Sequence, residues 1–283
     1  MQIGIGTYYL RRYGLEDGAC RMAKDGYTFV DYNLDDVEGE LYAARDEDFL
    51  TKVTEIRRTL NNAGVSVSQI HGPWHSFEDD TTEEKRAVKF EKMTKAMVIA
   101  KYLGAKYMAI HPLMPYGYGS DNSDEVVEIN RKYYTALTNV AAKLGVVICL
   151  ENMPFRGFPL STPIEIADFV NEIAHPNFKM CFDLGHANIF EGRISDMLKY
   201  AGSIIKILHV HDNFGDADTH LRPYEGTVDF ADFAEGLFDI GYDGILNLET
   251  APISKKQQAD GISDADAEAA ERDLARIAKL IAG

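Results

Sequence analysis

The sequence predicts a single α/β domain, residues 1–283, folded as a (β/α)8 TIM barrel, and three observations carry that prediction. The chain has 283 residues, of which 46% are hydrophobic, enough for one large core and near the roughly 250 residues that an eight-fold barrel needs. Short apolar runs alternate with longer segments of helical spacing eight times, the pattern of βα units. A glycine-led joint recurs where helix gives way to strand, in GYTFV at 26–30, GVSV at 64–67, GAKYM at 104–108, GVVI at 145–148 and GYDGI at 241–245.

The expected strands are 3–6 (IGIG), 28–32 (TFVDY), 66–70 (SVSQI), 106–110 (KYMAI), 146–150 (VVICL), 178–182 (FKMCF), 204–210 (IIKILHV) and 244–248 (GILNL). Helices fill the gaps. The best-marked one begins at Thr82 as N-cap, has an acidic first turn and stops at Gly104. The acidic stretch near 258–272 reads as the exposed face of a last helix, approached through a looser segment at 251–262. A doubly wound open sheet is the nearest alternative, but no GxGxxG turn follows the first strand.

Composition narrows the function. Twenty-nine basic against 45 acidic side chains give a net charge of −16, which repels a phosphate backbone and makes nucleic acid a disfavoured partner. Cys20, Cys149 and Cys181 form no CxxC pair, so neither a disulfide framework nor a thiolate zinc site is expected, and a cytoplasmic setting fits. The N-terminus carries no charged leader with an apolar stretch behind it, and no window approaches the roughly 20 apolar residues of a membrane span.

In such a barrel the chemistry sits where the strands end. Strand three ends at His71, strand four at His111, strand five at Glu151, strand six at Asp183 with His186 behind it, strand seven at His209 and His211, and strand eight at Glu249; Asp218 and His220 follow in the loop after strand seven. A single histidine at a strand end is more often hydrogen-bonded scaffolding, and a single carboxylate there is more often a helix cap. Their joint placement on one rim points to a divalent cation, because so many buried carboxylates need positive charge or protons. Histidine with carboxylate makes a borderline-hard site for Mn, Zn, Co, Mg or Fe. Side-chain alternation puts Cys149 one layer below Glu151, as core packing.

The motifs HGP (71–73), HP (111–112), LENM (150–153), FDLGHA (182–187), HVHDN (209–213), DTHLRPYEGTVDF (218–230) and LET (248–250) resemble the xylose isomerase-like barrel superfamily over essentially the whole chain. That group includes sugar and sugar phosphate isomerases and epimerases, inosose dehydratase, hydroxypyruvate isomerase and endonuclease IV. In its epimerase and isomerase branches the resemblance implies one metal, usually Mn, on Glu151, Asp183, His209 and Glu249. Glu151 and Glu249 would also be the catalytic acid/base pair working through an enediolate, and His186 would bind a substrate hydroxyl or carbonyl. The expected activity is thus a metal-dependent isomerase or epimerase of a sugar, sugar phosphate or polyol.

A dehydratase or other lyase of the same fold is the alternative, as is an endonuclease IV-like zinc phosphodiesterase. The resemblance to endonuclease IV implies nine zinc ligands, and His71, His111, Glu151, Asp183, His186, His209, Asp218, His220 and Glu249 match them all. The acidic stretch GPWHSFEDD after His71 speaks against DNA as substrate.

Around this set, Trp74 is a candidate apolar wall for a sugar ring, and His75 is expected at the surface. Arg222 is a candidate reader of a substrate phosphate or carboxylate. Asn213 and Glu225 are expected to order the loop carrying Asp218 and His220. Tyr8, Tyr9, Tyr116 and Tyr118 are candidate pocket walls, and PLMPYGYGSD a candidate lid. Barrels of this kind often form homo-oligomers, and no sequence feature fixes an interface.

Overall fold

The computed structural model describes residues 1–34, 39–73, 80–118 and 122–283. Eight parallel strands run in the order β7-β6-β5-β4-β3-β2-β1-β8: β1 Gln2–Ile5, β2 Phe29–Asn33, β3 Ser66–His71, β4 Tyr107–Ile110, β5 Val147–Glu151, β6 Phe178–Asp183, β7 Ile205–His209 and β8 Ile245–Leu248. The ring closes between β7 and β8 through Val210 N–H to Asn247 O at 2.9 Å and Glu249 N–H to Val210 O at 3.0 Å. All eight strands lie where the apolar runs place them, to within a residue or two at each end.

Among the described residues eight main helices return the chain, namely α2 Leu15–Asp25, α4 Asp46–Asn62, α5 Glu83–Leu103, α6 Ser123–Leu144, α7 Pro163–Ile173, α9 Ile194–Ala201, α10 Phe230–Asp239 and α12 Asp264–Ala282. The Thr82 side chain caps α5 by accepting from Lys85 N–H, and Gly104 ends it in the left-handed conformation. Thr162 and Glu165 form a reciprocal capping box on α7, with Pro163 in the first turn. Short helices not anticipated from the sequence also occur: α1 Tyr8–Tyr13, α3 Glu40–Ala43, α8 Leu184–Asn188 and α11 Lys255–Ala259. The looser segment at 251–262 therefore contains α11, and the last helix begins only at Asp264, capped by Ser263.

Two apolar layers hold the barrel. The larger lies between strands and helices. The smaller, inside the barrel, gathers Ala109, Val147, Cys149, Cys181 and Ile207 against Tyr107. It forms a dry floor, and the residues two further along the same strand faces, Glu151 and Asp183, stand above it. All three cysteines are free. No described helix is long and apolar enough to cross a membrane.

Candidate metal centre

Parallel register brings the strand ends to one level. Glu151 pairs with Cys181 across β5 and β6, and Asp183 with His209 across β6 and β7. Nδ1 of His209 lies 2.8 Å from Glu151 Oε1, 3.1 Å from Glu249 Oε2 and 3.9 Å from Asp183 Oδ2. One donor atom from each of these four residues falls within 4.8 Å of the others. An ion with four bonds of about 2.1 Å in tetrahedral array needs donors roughly 3.4 Å apart.

Three buried oxygens in this group, Glu151 Oε2, Asp183 Oδ2 and Glu249 Oε2, have no hydrogen-bond partner. A buried carboxylate oxygen without a partner is costly, and two of these, Asp183 Oδ2 and Glu249 Oε2, share His209 Nδ1 with Glu151 Oε1, a setting that a cation relieves. The donor set fits a borderline-hard divalent ion.

Other candidate groups overlap or adjoin the first, and two of them extend it around the rim. His71, His111 and Glu151 form one, with Glu151 Oε2 at 3.5 Å from His71 Nε2 and 3.3 Å from His111 Nε2. Glu151 is therefore common to both. The other is His186, His211, Asp218 and His220, in which Asp218 Oδ2 lies 3.3 Å from His186 Nε2 and 3.1 Å from His220 Nε2. His211 is fully buried, with Nε2 3.2 Å from Asp183 Oδ1, and neither ring nitrogen makes a hydrogen bond. All ten candidate donors named from the sequence fall into these three groups.

The outward nitrogens of the rings are held. His71 Nδ1 lies 2.9 Å from Gly72 O, His186 Nδ1 2.7 Å from Asn152 O, and His220 Nδ1 2.7 Å from Glu249 O. A carbonyl only accepts, so each Nδ1 carries the proton and Nε2 faces the cluster. His209 is turned the other way, with Nε2 3.0 Å from Asp31 Oδ2 and Nδ1 inward.

Electrostatics follow the same geometry. Burial works against each charged ring, and the carboxylates overcome it: Glu151 pushes His71 up to about 9, Asp183 and Asp218 push His186 up to about 10, and Asp218 with Glu249 pushes His220 up to about 9. His111 is pulled down by burial, which the neighbouring Glu151 does not overcome. Against its own burial, Glu151 is held well below the usual range, chiefly by His209. Protons on the rings thus balance the carboxylates where an ion would leave the rings neutral.

The loop behind the third group is ordered by Asp212, which accepts N–H bonds from Asn213, Gly226 and Val228, and by Asn213, which bonds Gly185 O, Gly215 N and Asn188. Glu225 accepts from Arg222 N–H at 3.3 Å. His220 itself adopts a positive φ of 47°, a conformation that this packing maintains.

The expectation for the tyrosines needs correction, and Arg222 has a partner within the chain: its Nη2 lies 2.6 Å from Asp273 Oδ2 on α12. Tyr9 is a core residue, fully buried and donating to Asp25 at 2.8 Å, and Tyr8 donates to Glu271 at 3.2 Å; the turn of α1 carries both toward the helical layer. Tyr118 packs on Phe155 with ring centroids 4.3 Å apart, and Tyr116 is exposed. Trp74 and His75 lie outside the described residues, as does the end of the PLMPYGYGSD segment. The sequence reading passed over Asp31 and Asn152. Asp31 carried one signal, a lone carboxylate within the apolar run TFVDY.

Residues 21–280 match the family model described as xylose isomerase-like TIM barrel. The chain belongs to the xylose isomerase-like TIM barrel family. Within that family it is 31% identical over 188 residues to an uncharacterised protein of Methanocaldococcus jannaschii, covering 65% of this chain and 64% of that one. It is 25% identical over 206 residues to a D-psicose 3-epimerase of Ruminiclostridium cellulolyticum, 70% of this chain and 68% of the relative. A probable endonuclease 4 of Mycoplasmopsis agalactiae is 24% identical over 205 residues, 66% and 70% of the two chains. The matches to the first two relatives thus span about two thirds of their lengths. Among solved structures, a D-tagatose 3-epimerase-like protein superimposes with a TM-score of 0.75 at 25% identity, over 100% of this chain and 98% of the other.

Proposed function

We propose that this chain is a divalent-metal-dependent isomerase or epimerase of a sugar, sugar phosphate or polyol, working by proton transfer through an enediolate. The observation that carries the reading is the convergence of one carboxylate oxygen each from Glu151, Asp183 and Glu249 on Nδ1 of His209, those of Asp183 and Glu249 being buried without a hydrogen-bond partner. Likeness to sugar 3-epimerases, in sequence and in fold, supports it.

The chemistry is the removal of a weakly acidic proton beside a carbonyl. A bound divalent ion supplies neutralisation of the oxyanion that develops. Glu151, Asp183, His209 and Glu249 would hold it. Glu151 ends β5 and Glu249 follows β8, so the two carboxylates reach the mouth from separate arcs of the ring. One takes the proton, and the other returns one to the opposite face for epimerisation or to the neighbouring carbon for isomerisation. His186 sits beside the quartet, with its Nε2 facing Asp218, within the rim where a substrate hydroxyl would lie.

The test is exchange in deuterated water. The chain, loaded in turn with Mn, Co, Mg, Fe and Zn, is incubated with a panel of ketoses and their phosphates, and deuterium at the carbons flanking the carbonyl is followed by NMR. Incorporation that disappears in Glu249→Gln supports the reading; normal exchange in that variant, or none with any substrate and metal, removes it.

A zinc phosphodiesterase is the second reading. The His71/His111/Glu151 and His186/His211/Asp218/His220 groups beside the quartet favour it. Two or three zinc ions per chain together with cleavage of an abasic-site duplex would bring it forward.

A further inference from the structure

Asp31 is a buried carboxylate on β2 that points into the barrel behind His209. Its Oδ2 lies 3.0 Å from His209 Nε2 and accepts a second hydrogen bond, at 2.8 Å, from Gln69 Nε2. Gln69 Oε1 in turn accepts from Asn247 Nδ2 at 2.6 Å, and Asn247 Oδ1 lies 3.3 Å from the Ser68 hydroxyl. Gln69 and Asn247 are as buried as the core around them.

The backbone is shaped to admit this file. The β2–β3 register slips between Val30 and Asp31, so that Val30 pairs with Val67 but Asp31 with Gln69; such an irregularity re-aims side chains. Across the ring, a Cβ at Gly4 would stand 2.0 Å from Asn247 Oδ1, so β1 carries a glycine where the Asn247 amide crosses. Side chains of β2, β3 and β8 therefore converge behind one imidazole on β7.

The polarity of the file runs one way. With its Oε1 occupied by Asn247, Gln69 presents N–H to Asp31. A carboxylate oxygen accepts, so His209 Nε2 donates to Asp31, and Nδ1 is the nitrogen that faces Glu151 and Glu249.

We propose that Asp31 is a positioning residue that fixes His209 in the Nε2–H tautomer, so that Nδ1 is the atom offered to a divalent ion, with Gln69 and Asn247 setting the polarity behind it. The inference rests on the metal-centre reading. A hydrogen-bonded carboxylate behind a ligating imidazole both orients the ring and raises its basicity, and its loss typically lowers metal affinity 10–100-fold.

The experiment uses the full chain, wild type and Asp31→Asn and Asp31→Leu variants, labelled with 15N-histidine. Three quantities are read: Zn2+ affinity by competition with a chelating dye, ring tautomers of the Zn-loaded protein by long-range 1H–15N correlation, and the melting temperature without metal. In the wild type, His209 is expected with its proton on Nε2. Asp31→Asn, which keeps an acceptor and loses the charge, should weaken Zn2+ binding about tenfold, and Asp31→Leu about a hundredfold with the Nε2–H signature lost. The metal-free Asp31→Asn melting temperature should change little, whereas a purely structural Asp31 would lower it and leave the affinity alone. Zn2+ bound within twofold of wild type by folded variants, or a wild-type His209 carrying its proton on Nδ1, overturns the inference while the metal centre stands. A wild type that takes up no Zn2+ overturns both.

Discussion

His209 Nδ1 and Glu151 Oε1 meet at 2.8 Å, and the other oxygen of the same carboxylate, 3.3 Å from His111 Nε2 and 3.5 Å from His71 Nε2, belongs to a second donor group. Glu151 is thus common to two candidate ion positions. Glu151→Gln should lower metal content in both groups and cut turnover by about 10²–10⁴. Elemental analysis of wild type and variant after identical dialysis checks the first effect, and solvent deuterium exchange the second. Unchanged metal content would mean that Glu151 is not a shared ligand.

The raised histidines give the metal-free chain a definite pH response. His71 and His220 are pushed up to about 9 and His186 to about 10, all from the ordinary 6.5. A group that binds its proton more tightly when folded contributes stability that is complete below the unfolded pKa and is lost as pH rises through the folded one. Melting temperature in chelator should therefore fall from about pH 7 to pH 10. A bound ion replaces those protons, and its affinity grows as they leave, so the loaded chain should hold or raise its melting temperature over the same interval. Thermal scans with EDTA and with added Mn2+ or Zn2+ separate the two. A chelated chain that grows more stable toward pH 10 contradicts the proton-for-metal picture.

Lys89 and Asp80 form a buried pair, Nζ to Oδ1 at 2.6 Å with side chains 5% and 2% exposed. Asp80 Oδ2 also accepts from Met114 N–H at 2.9 Å, tying the connection after β3 to the segment that follows His111. Removing one partner of a buried pair leaves an uncompensated charge, at a cost of about 3–5 kcal/mol. Lys89→Met should show that loss in urea unfolding, and adding Asp80→Asn should recover part of it. If Lys89→Met costs under about 1 kcal/mol, Asp80 has found another partner.

The rim was legible because each strand is a short apolar run and the residue ending it is conspicuously polar: His71, Glu151, Asp183 and His209 are the last residues of their strands. Three kinds of feature were not. The nitrogen each ring turns inward depends on backbone carbonyls such as Asn152 O and Glu249 O, which have no sequence signature. Asp31 reaches His209 only through an irregular β2–β3 register, and a local pattern cannot foresee a slip between two strands. Arg222 finds Asp273 on the last helix, 51 residues on, so its type suggested an anion and its partner lay beyond any local reading. Tyr9 failed for a related reason, since α1 turns it into the core.

Because Arg222 is paired with Asp273 at 2.6 Å, side chains 20% and 46% exposed, its replacement should act on stability more than on substrate choice. Arg222→Ala is expected to cost about 1 kcal/mol or less, and Asp273→Ala a similar amount, with the double variant showing that the two losses overlap. The ratio of kcat/KM for a phosphorylated over an unphosphorylated sugar should stay within threefold of wild type. A loss above tenfold confined to the phosphorylated sugar would return Arg222 to the substrate.

The third donor group has a test that leaves its ligands in place. Gly185 makes room for the His211 ring: an added Cβ would stand 2.0 Å from Cε1, 2.3 Å from Nδ1 and 2.6 Å from Nε2. The glycine lies in α8 at an ordinary helical position, so alanine there strains no backbone and acts only by displacing the ring. Overpacking of this kind costs about 1–3 kcal/mol, which a stable barrel survives. If His211 joins His186, Asp218 and His220 around an ion, Gly185→Ala should release about one equivalent of metal per chain while the Glu151/Asp183/His209/Glu249 group keeps its own. Metal content by mass spectrometry, with deuterium exchange measured on the same samples, reads both groups at once. Equal metal in wild type and variant would leave His211 as packing behind Asp183. Loss of metal together with all exchange activity would mean that the two groups act as one cluster and bring the phosphodiesterase reading forward.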